Sequence, residues 1–213
     1  MEFLNADIAS YAELHTSPET PVLLKINRET HLKVLNPRML SGHLQGRFLS
    51  LLSKLQQPKC VLEIGTYTAY ATLCLAEGLA DGGKVITIES NEELEHMIRR
   101  FVTEAGMEDR VDLKMGDARS IIPKLDETFD MVFIDADKEF YSEFYDLVFE
   151  KVRPGGLIIA DNVLWSGKVI KKTSNTDKST SAVISFNNKI NEDRRVENVL
   201  LPVRDGLMII RKL

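Results

Sequence analysis

From Val61 to the C-terminus the chain alternates short apolar runs with longer helical ones, and no other feature restricts its fold so tightly. VLEIG is followed by ATLCLAEGLA, KVITIE by EELEHMIRRFVTEAG, VDLKM by ARSIIPKL, and MVFID by SEFYDLVFEKV, before a further apolar run, GLIIAD. Strand and helix alternation of this kind predicts an α/β fold, a mostly parallel sheet with helices on both faces. Gly106 closes one helical run, and Pro154, Gly155 and Gly156 close another ahead of a strand predicted to begin at Leu157. RVENVLLPV and GLMIIRKL, separated by Arg204 and Asp205, read as an antiparallel hairpin that brings the sheet to seven strands.

The first sixty residues show helical patterns and no convincing strand, so residues 1–59 are expected to pack as helices on the sheet of a single domain, 1–213. With 44% apolar content, 213 residues can supply one continuous core. The net charge of -5 is spread along the chain and marks no footprint for duplex nucleic acid or an anionic membrane. No apolar run reaches the roughly 18 residues of a membrane helix, Cys60 and Cys74 form no C-x-x-C pair, and the N-terminus shows no secretory pattern. These features predict a soluble protein of a reducing cytoplasm.

The loop after the first strand, IGTYTAYAT, lies where an open α/β sheet binds its ligand. It is a poor pyrophosphate cradle, because Gly65 is followed by Thr66, Tyr67, Thr68, Ala69 and Tyr70 rather than by more glycine. Glu63 stands just before the loop, where a carboxylate would repel a diphosphate and attract a cationic ligand. Glu89 ends the second strand, placed to accept hydrogen bonds from ribose hydroxyls. The set suggests a cationic nucleoside without phosphates, for which S-adenosylmethionine is the obvious candidate. The plainer alternatives are that Gly65 only ends a strand, Glu63 is a paired core acid and Glu89 begins a helix.

FIDADKEFY and GLIIADNVLW carry acids at the ends of two apolar runs. If those strands are parallel neighbours, Asp135, Asp161 and Asn162 converge on one rim, and an all-oxygen set suits a hard divalent cation such as Mg²⁺ or Mn²⁺. Lys138 beside them is a general base or a charge partner for a phenolate. Against this stand Asp137 as a helix cap, Asp161 and Asn162 as turn residues, and Lys138 as a solvated surface charge.

VLEIGTYTAYAT, TIE, GDA, FIDADKEFY, ADNVLWSGKV and DGLMIIRK together resemble the cation-dependent O-methyltransferases, the family of the catechol and caffeoyl-coenzyme A enzymes and many bacterial relatives. The resemblance runs from about Asn36 to the C-terminus and implies a Rossmann-like class I methyltransferase fold. It implies metal ligation by Asp135, Asp161 and Asn162, with Mg²⁺, Mn²⁺ or Ca²⁺ as the ion, and Lys138 as the lysine that acts as base. It carries cofactor contacts over to Ser41, Glu63, Gly65, Thr66, Ala71, Glu89, Asp117, Ala118, Asp135 and Asp137. Arg38, Met39, Trp165 and Ser166 are the candidates for touching the acceptor, and a homodimer is implied. The family often has glycine at position 69 and serine at 71, where this chain has alanine; the missing hydroxyl at 71 predicts a weaker grip on the methionine end of the cofactor.

The function expected is therefore methyl transfer from S-adenosylmethionine to a hydroxyl of a small catechol-like substrate. The rivals are an RNA-modifying O-methyltransferase acting on a hydroxylated base, an NAD-dependent oxidoreductase, which wants the glycine-rich loop that is missing, and a binding module, which has no need of Asp135, Lys138 and Asp161. The polar run 171–180 and Trp165 are expected to cover the site.

Overall fold

The computed structural model describes residues 5–171 and 177–213. Helices α1 (Ala6–Leu14), α2 (Pro21–Lys33) and α3 (Gly42–Gln56) precede the first strand, β1 (Cys60–Ile64). Then follow α4 (Tyr70–Ala76), β2 (Lys84–Glu89), α5 (Glu95–Glu104), β3 (Val111–Met115), α6 (Ala118–Ile121), β4 (Phe129–Ile134), α7 (Tyr141–Phe149) and β5 (Val152–Asp161). The chain closes with α8 (Lys178–Glu192), β6 (Val196–Leu201) and β7 (Leu207–Lys212). The seven strands lie in the order β3-β2-β1-β4-β5-β7-β6. The first five are parallel, while β7 runs antiparallel to both β5 and β6, as the closing hairpin predicts. The order reverses between β1 and β4, and a crevice opens there at the carboxyl ends of the strands.

Alternation along each strand builds two cores. Leu62, Val132 and Ile158 face α7 and α8 with Tyr141, Tyr145 and Phe186, while Val61, Phe133 and Ile159 face α4 and α5 with Leu73, Phe101 and, from α2, Ile26. Between α3 and the sheet, α4 is buried at all seven positions rather than along one stripe. Gly46 permits this packing, since a Cβ there would stand 2.6 Å from the Tyr70 ring.

Three local details differ from the sequence expectations. β5 begins at Val152, not Leu157, and absorbs Pro154 and Gly155 as a register shift against β4, with Gly155 at φ 75. ARSIIPKL forms only the single turn α6 before a 3₁₀ turn, Ile122–Lys124, because Pro123 has no N–H for a helical ladder. α1 buries none of its side chains. Of the expected cover, residues 172–176 lie outside the described residues; α8 starts at Lys178, capped by Asp177, whose side chain accepts from Thr180 N. No helix among the described residues is long and apolar enough to cross a membrane.

Candidate active site

A cavity of about 1710 Å³ opens over the carboxyl ends of β1, β2, β4 and β5, walled on the other side by the segment from Val34 to Leu44. Its two halves are built differently.

The first half rests on Gly65, at φ 98, where a Cβ would fall 2.0 Å from the Asp135 carbonyl oxygen. Only glycine lets the β1 loop press so closely on the end of β4. Glu89 then fastens the loop, its Oε2 accepting from Tyr67 N and its Oε1 from Asn91 N, both at 2.8 Å. Ala69, where glycine is expected by resemblance, takes a left-handed φ of 68, a conformation that costs alanine about 1 kcal/mol. Ser41, Gly65, Glu89, Asp117, Ala118, Asp135 and Asp137 all line the cavity. Thr66 and Ala71 line a water-sized pocket beside it, together with Gly65 and Asp135.

Glu63 faces neither space. It sits under the loop at 0% exposure, accepting from the hydroxyls of Thr72 and Thr87, with its Oε1 unpartnered among the described residues. Burial pushes its pKa up to about 8 against those two hydrogen bonds, and the charges of Asp135 and Glu89 add to the rise. It is a core acid, as the plainer alternative has it, but one without a cation. A chain of hydroxyls, Thr66 to Thr87 to Glu63, links it to the loop.

Two acids here cap helices while lining the cavity. Asp117 accepts from Arg119 N at the start of α6 and pairs with the Arg119 guanidinium at 2.6 Å, which holds its carboxyl below the usual range. Asp137 accepts from Glu139 N at the start of the 3₁₀ turn Lys138–Phe140.

The second half gathers at the ends of β4 and β5. Tyr141 closes the gap between these strands by donating to the carbonyls of Asp161, at 3.0 Å, and Ile134, at 3.3 Å. Asp161 is 3% exposed; its Oδ2 accepts from Gln45 Nε2 at 2.7 Å and its Oδ1 from Asn162 N at 2.6 Å. Burial, with the charge of Asp135 next, lifts its pKa well above the ordinary range. Lys138 donates to Asp135 Oδ1 at 3.0 Å and to the Ala136 carbonyl. Burial works against its charge, yet the Tyr141 hydroxyl and the carboxylates of Asp135 and Asp161 hold the ammonium above the ordinary lysine range. It is a buried ammonium, not a solvated surface charge.

Asn162 takes φ 57, turning the chain as β5 ends, and its side chain has no hydrogen-bond partner among the described residues. No group of three His, Cys, Asp or Glu side chains suited to a metal occurs among the described residues. A third donor at this rim would therefore be the Asn162 amide oxygen. Two carboxylates and an amide, with the charge of Asp135 adding to the raised pKa of Asp161 and no soft donor beside them, fit a hard divalent cation.

Arg38, Met39, Trp165 and Ser166 also line the cavity. Trp165 and Ser166 occupy a tight left-handed turn, φ 46 and 53, held where Ser166 N donates to Asp205 Oδ1. The indole N–H of Trp165 is buried without a partner among the described residues. Sequence reasoning missed Gln45, Tyr141 and Asp205. Only Gln45 left a signal, a polar residue one turn before Leu49 on the buried face of α3.

A family model described as O-methyltransferase matches residues 12–213. Over 161 residues, the chain is 37% identical to a catechol O-methyltransferase from Niastella koreensis, covering 74% of this chain and 72% of that protein. It is 32% identical to caffeoyl-CoA O-methyltransferase 1 from Eucalyptus globulus, covering 99% of this chain and 90% of the other. A solved O-methyltransferase from Bacillus cereus in complex with SAH superposes with a TM-score of 0.89 at 31% identity, over 97% of both chains.

Proposed function

The chain belongs to the O-methyltransferase family, and from that premise we propose that it moves the methyl group of S-adenosylmethionine to a hydroxyl of a small catechol-like aromatic acceptor. A divalent cation held by Asp135, Asp161 and Asn162 completes this reading. One observation carries it: the acids that end β4 and β5, with Lys138 beside them, open into the same cavity as Gly65 and Glu89. A nucleoside site and an acidic, lysine-bearing site thus share one space.

Ser41, Gly65, Thr66, Ala71, Glu89, Asp117, Ala118, Asp135 and Asp137 form the proposed cofactor wall. Each Glu89 oxygen accepts one backbone N–H, so the second lone pair of each is free for a ribose hydroxyl. Glu63 contributes by holding the loop from beneath. A divalent cation, when bound, lowers the pKa of a hydroxyl in contact with it. Lys138 meets that hydroxyl as an ammonium and stabilises the phenolate by charge. The phenolate oxygen bonds to the methyl carbon as the carbon–sulfur bond breaks, its electrons passing to sulfur, so a sulfonium becomes a neutral thioether. The hydroxyl proton leaves to solvent. Charge is neutralised in this step, and Trp165 and Ser166 above the rim help by excluding water.

The homodimer belongs to the same reading, supported by exposed Leu14, Leu32, Leu35 and Leu55 on and beside the N-terminal helices. A net charge of -5 favours a small acceptor over RNA, and a cytoplasmic setting agrees with the two free cysteines. The reading is tested by following methyl transfer from labelled S-adenosylmethionine to catechols, flavonoids and RNA, with and without chelator. Transfer to a catechol that chelator abolishes is the expected result. Transfer to RNA alone, or binding of NAD in place of S-adenosylmethionine, would replace the reading.

A further inference from the structure

Asp161 is held from a helix that the chemistry does not otherwise use. Gln45 lies on α3, 116 residues away in sequence, at 0% exposure, and its Nε2 donates to Asp161 Oδ2 at 2.7 Å. The other carboxylate oxygen accepts from Asn162 N at 2.6 Å. With one donor on each oxygen, rotation of the carboxylate is arrested and a second lone pair on each remains open. Both donors are neutral, so neither competes with a cation for the charge. Lys138 is bonded to Asp135 instead.

A packing role alone does not explain a glutamine here. Its Oε1 is buried with no partner among the described residues, and an unpaired buried carbonyl carries a desolvation cost that an apolar side chain avoids. The neighbouring Gly46 sets α3 hard against Tyr70 and Cys74, a fit that brings Gln45 within reach of β5. Ser41, Arg38 and Met39, which wall the cavity, lead directly into this helix.

We infer that Gln45 is a positioning residue for the divalent-cation site, orienting Asp161 through its carboxamide and tying α3 to the end of β5. This rests on the metal reading proposed above.

The test is calorimetric titration of the purified protein with Mn²⁺ alone and, separately, with S-adenosylmethionine in the presence of chelator. Wild type is compared with Gln45→Met, which keeps the length of the side chain and removes the donor. Loss of a residue that orients a metal ligand weakens metal binding by about tenfold or more, so Gln45→Met is expected to lose Mn²⁺ affinity on that scale while S-adenosylmethionine affinity stays within about twofold. Unchanged Mn²⁺ affinity overturns the positioning role, and so does an equal loss of both affinities, which marks general disruption of α3. Should Gln45→Met fail to fold, Gln45→Asn decides: one methylene shorter, it keeps the amide but not the reach, so the same selective loss is expected and wild-type Mn²⁺ affinity overturns the role. A wild type that binds S-adenosylmethionine but no Mn²⁺ overturns the metal reading itself and the role of Gln45 with it.

Discussion

Lys138 Nζ stands 3.0 Å from Oδ1 of Asp135, three residues before it, with the ammonium 4.9 Å above the Tyr141 ring. A buried lysine so placed is held charged by the carboxylate it faces, and it points that charge at the rim where an acceptor hydroxyl would sit. In the proposed reaction its contribution is electrostatic, available from the first encounter.

Lys138→Ala is therefore expected to lower turnover by roughly 10² to 10⁴, the range for losing a group that handles charge or a proton at the reacting atom. Affinity for Mn²⁺ should stay equal or become tighter, because a positive charge beside Asp135 is gone. Initial rates and a Mn²⁺ titration on the same sample check both. A fully active variant would make the lysine a bystander.

Glu63 gives stability a pH dependence with a definite sign. Its folded pKa, about 8, lies above the ordinary 4.5, so between these values the native state keeps a proton that the unfolded chain releases. Stability from this group is complete below about pH 4.5 and is lost as pH rises through about 8, at about 1.4 kcal/mol per pH unit or less. Glu63→Gln removes the titration. Urea unfolding at several pH values should show wild type losing stability relative to Glu63→Gln across this window, and a constant difference would contradict the assignment.

Glu89→Ala should weaken S-adenosylmethionine binding by about 1 to 3 kcal/mol, the cost of removing a charged hydrogen-bond partner. It also frees Tyr67 N and Asn91 N, both of which Glu89 holds at 2.8 Å, so the β1 loop should exchange amide hydrogens faster. Calorimetry in chelator measures the first effect and hydrogen exchange the second. Unaltered affinity with faster exchange would confine Glu89 to a structural role.

A ring bearing two adjacent hydroxyls should be methylated at least about a hundredfold faster than the matching monophenol, since a single oxygen cannot fix the orientation of the ring at the rim. Rates measured at saturating Mg²⁺ and again with chelator make the comparison. Equal rates, or rates indifferent to chelator, would leave Asp135 and Asp161 without the role proposed for them.

Much of the fold was legible because periodicity states which residues of one element share a face. The alternation from Val61 predicted the parallel sheet, and the RVENVLLPV and GLMIIRKL runs predicted its antiparallel edge. The acids of MVFID and LIIAD could be placed at one rim as soon as β4 and β5 were taken as neighbours, which their pairing bears out. The start of β5 was misplaced because Pro154 and Gly155 are ordinary stop signals, and a register shift that absorbs them depends on the neighbouring strand.

Two acids mark the limit of sequence reading. Glu63 and Glu89 both lie at the carboxyl ends of strands beside the same loop, yet Glu63, one residue short of the end of β1, turns inward toward Thr72 of α4, while Glu89, the last residue of β2, reaches the cavity. Gln45 stands out in its own segment only as a polar residue on the buried face of α3, and nothing in either segment alone says that it meets Asp161. The local order of apolar and polar residues determined the elements, their faces and the strand ends that bear charge. Which helix would press on which strand end, and with what side chain between them, was decided only by tertiary packing, because the distance between residues 116 positions apart is set by every element folded between them.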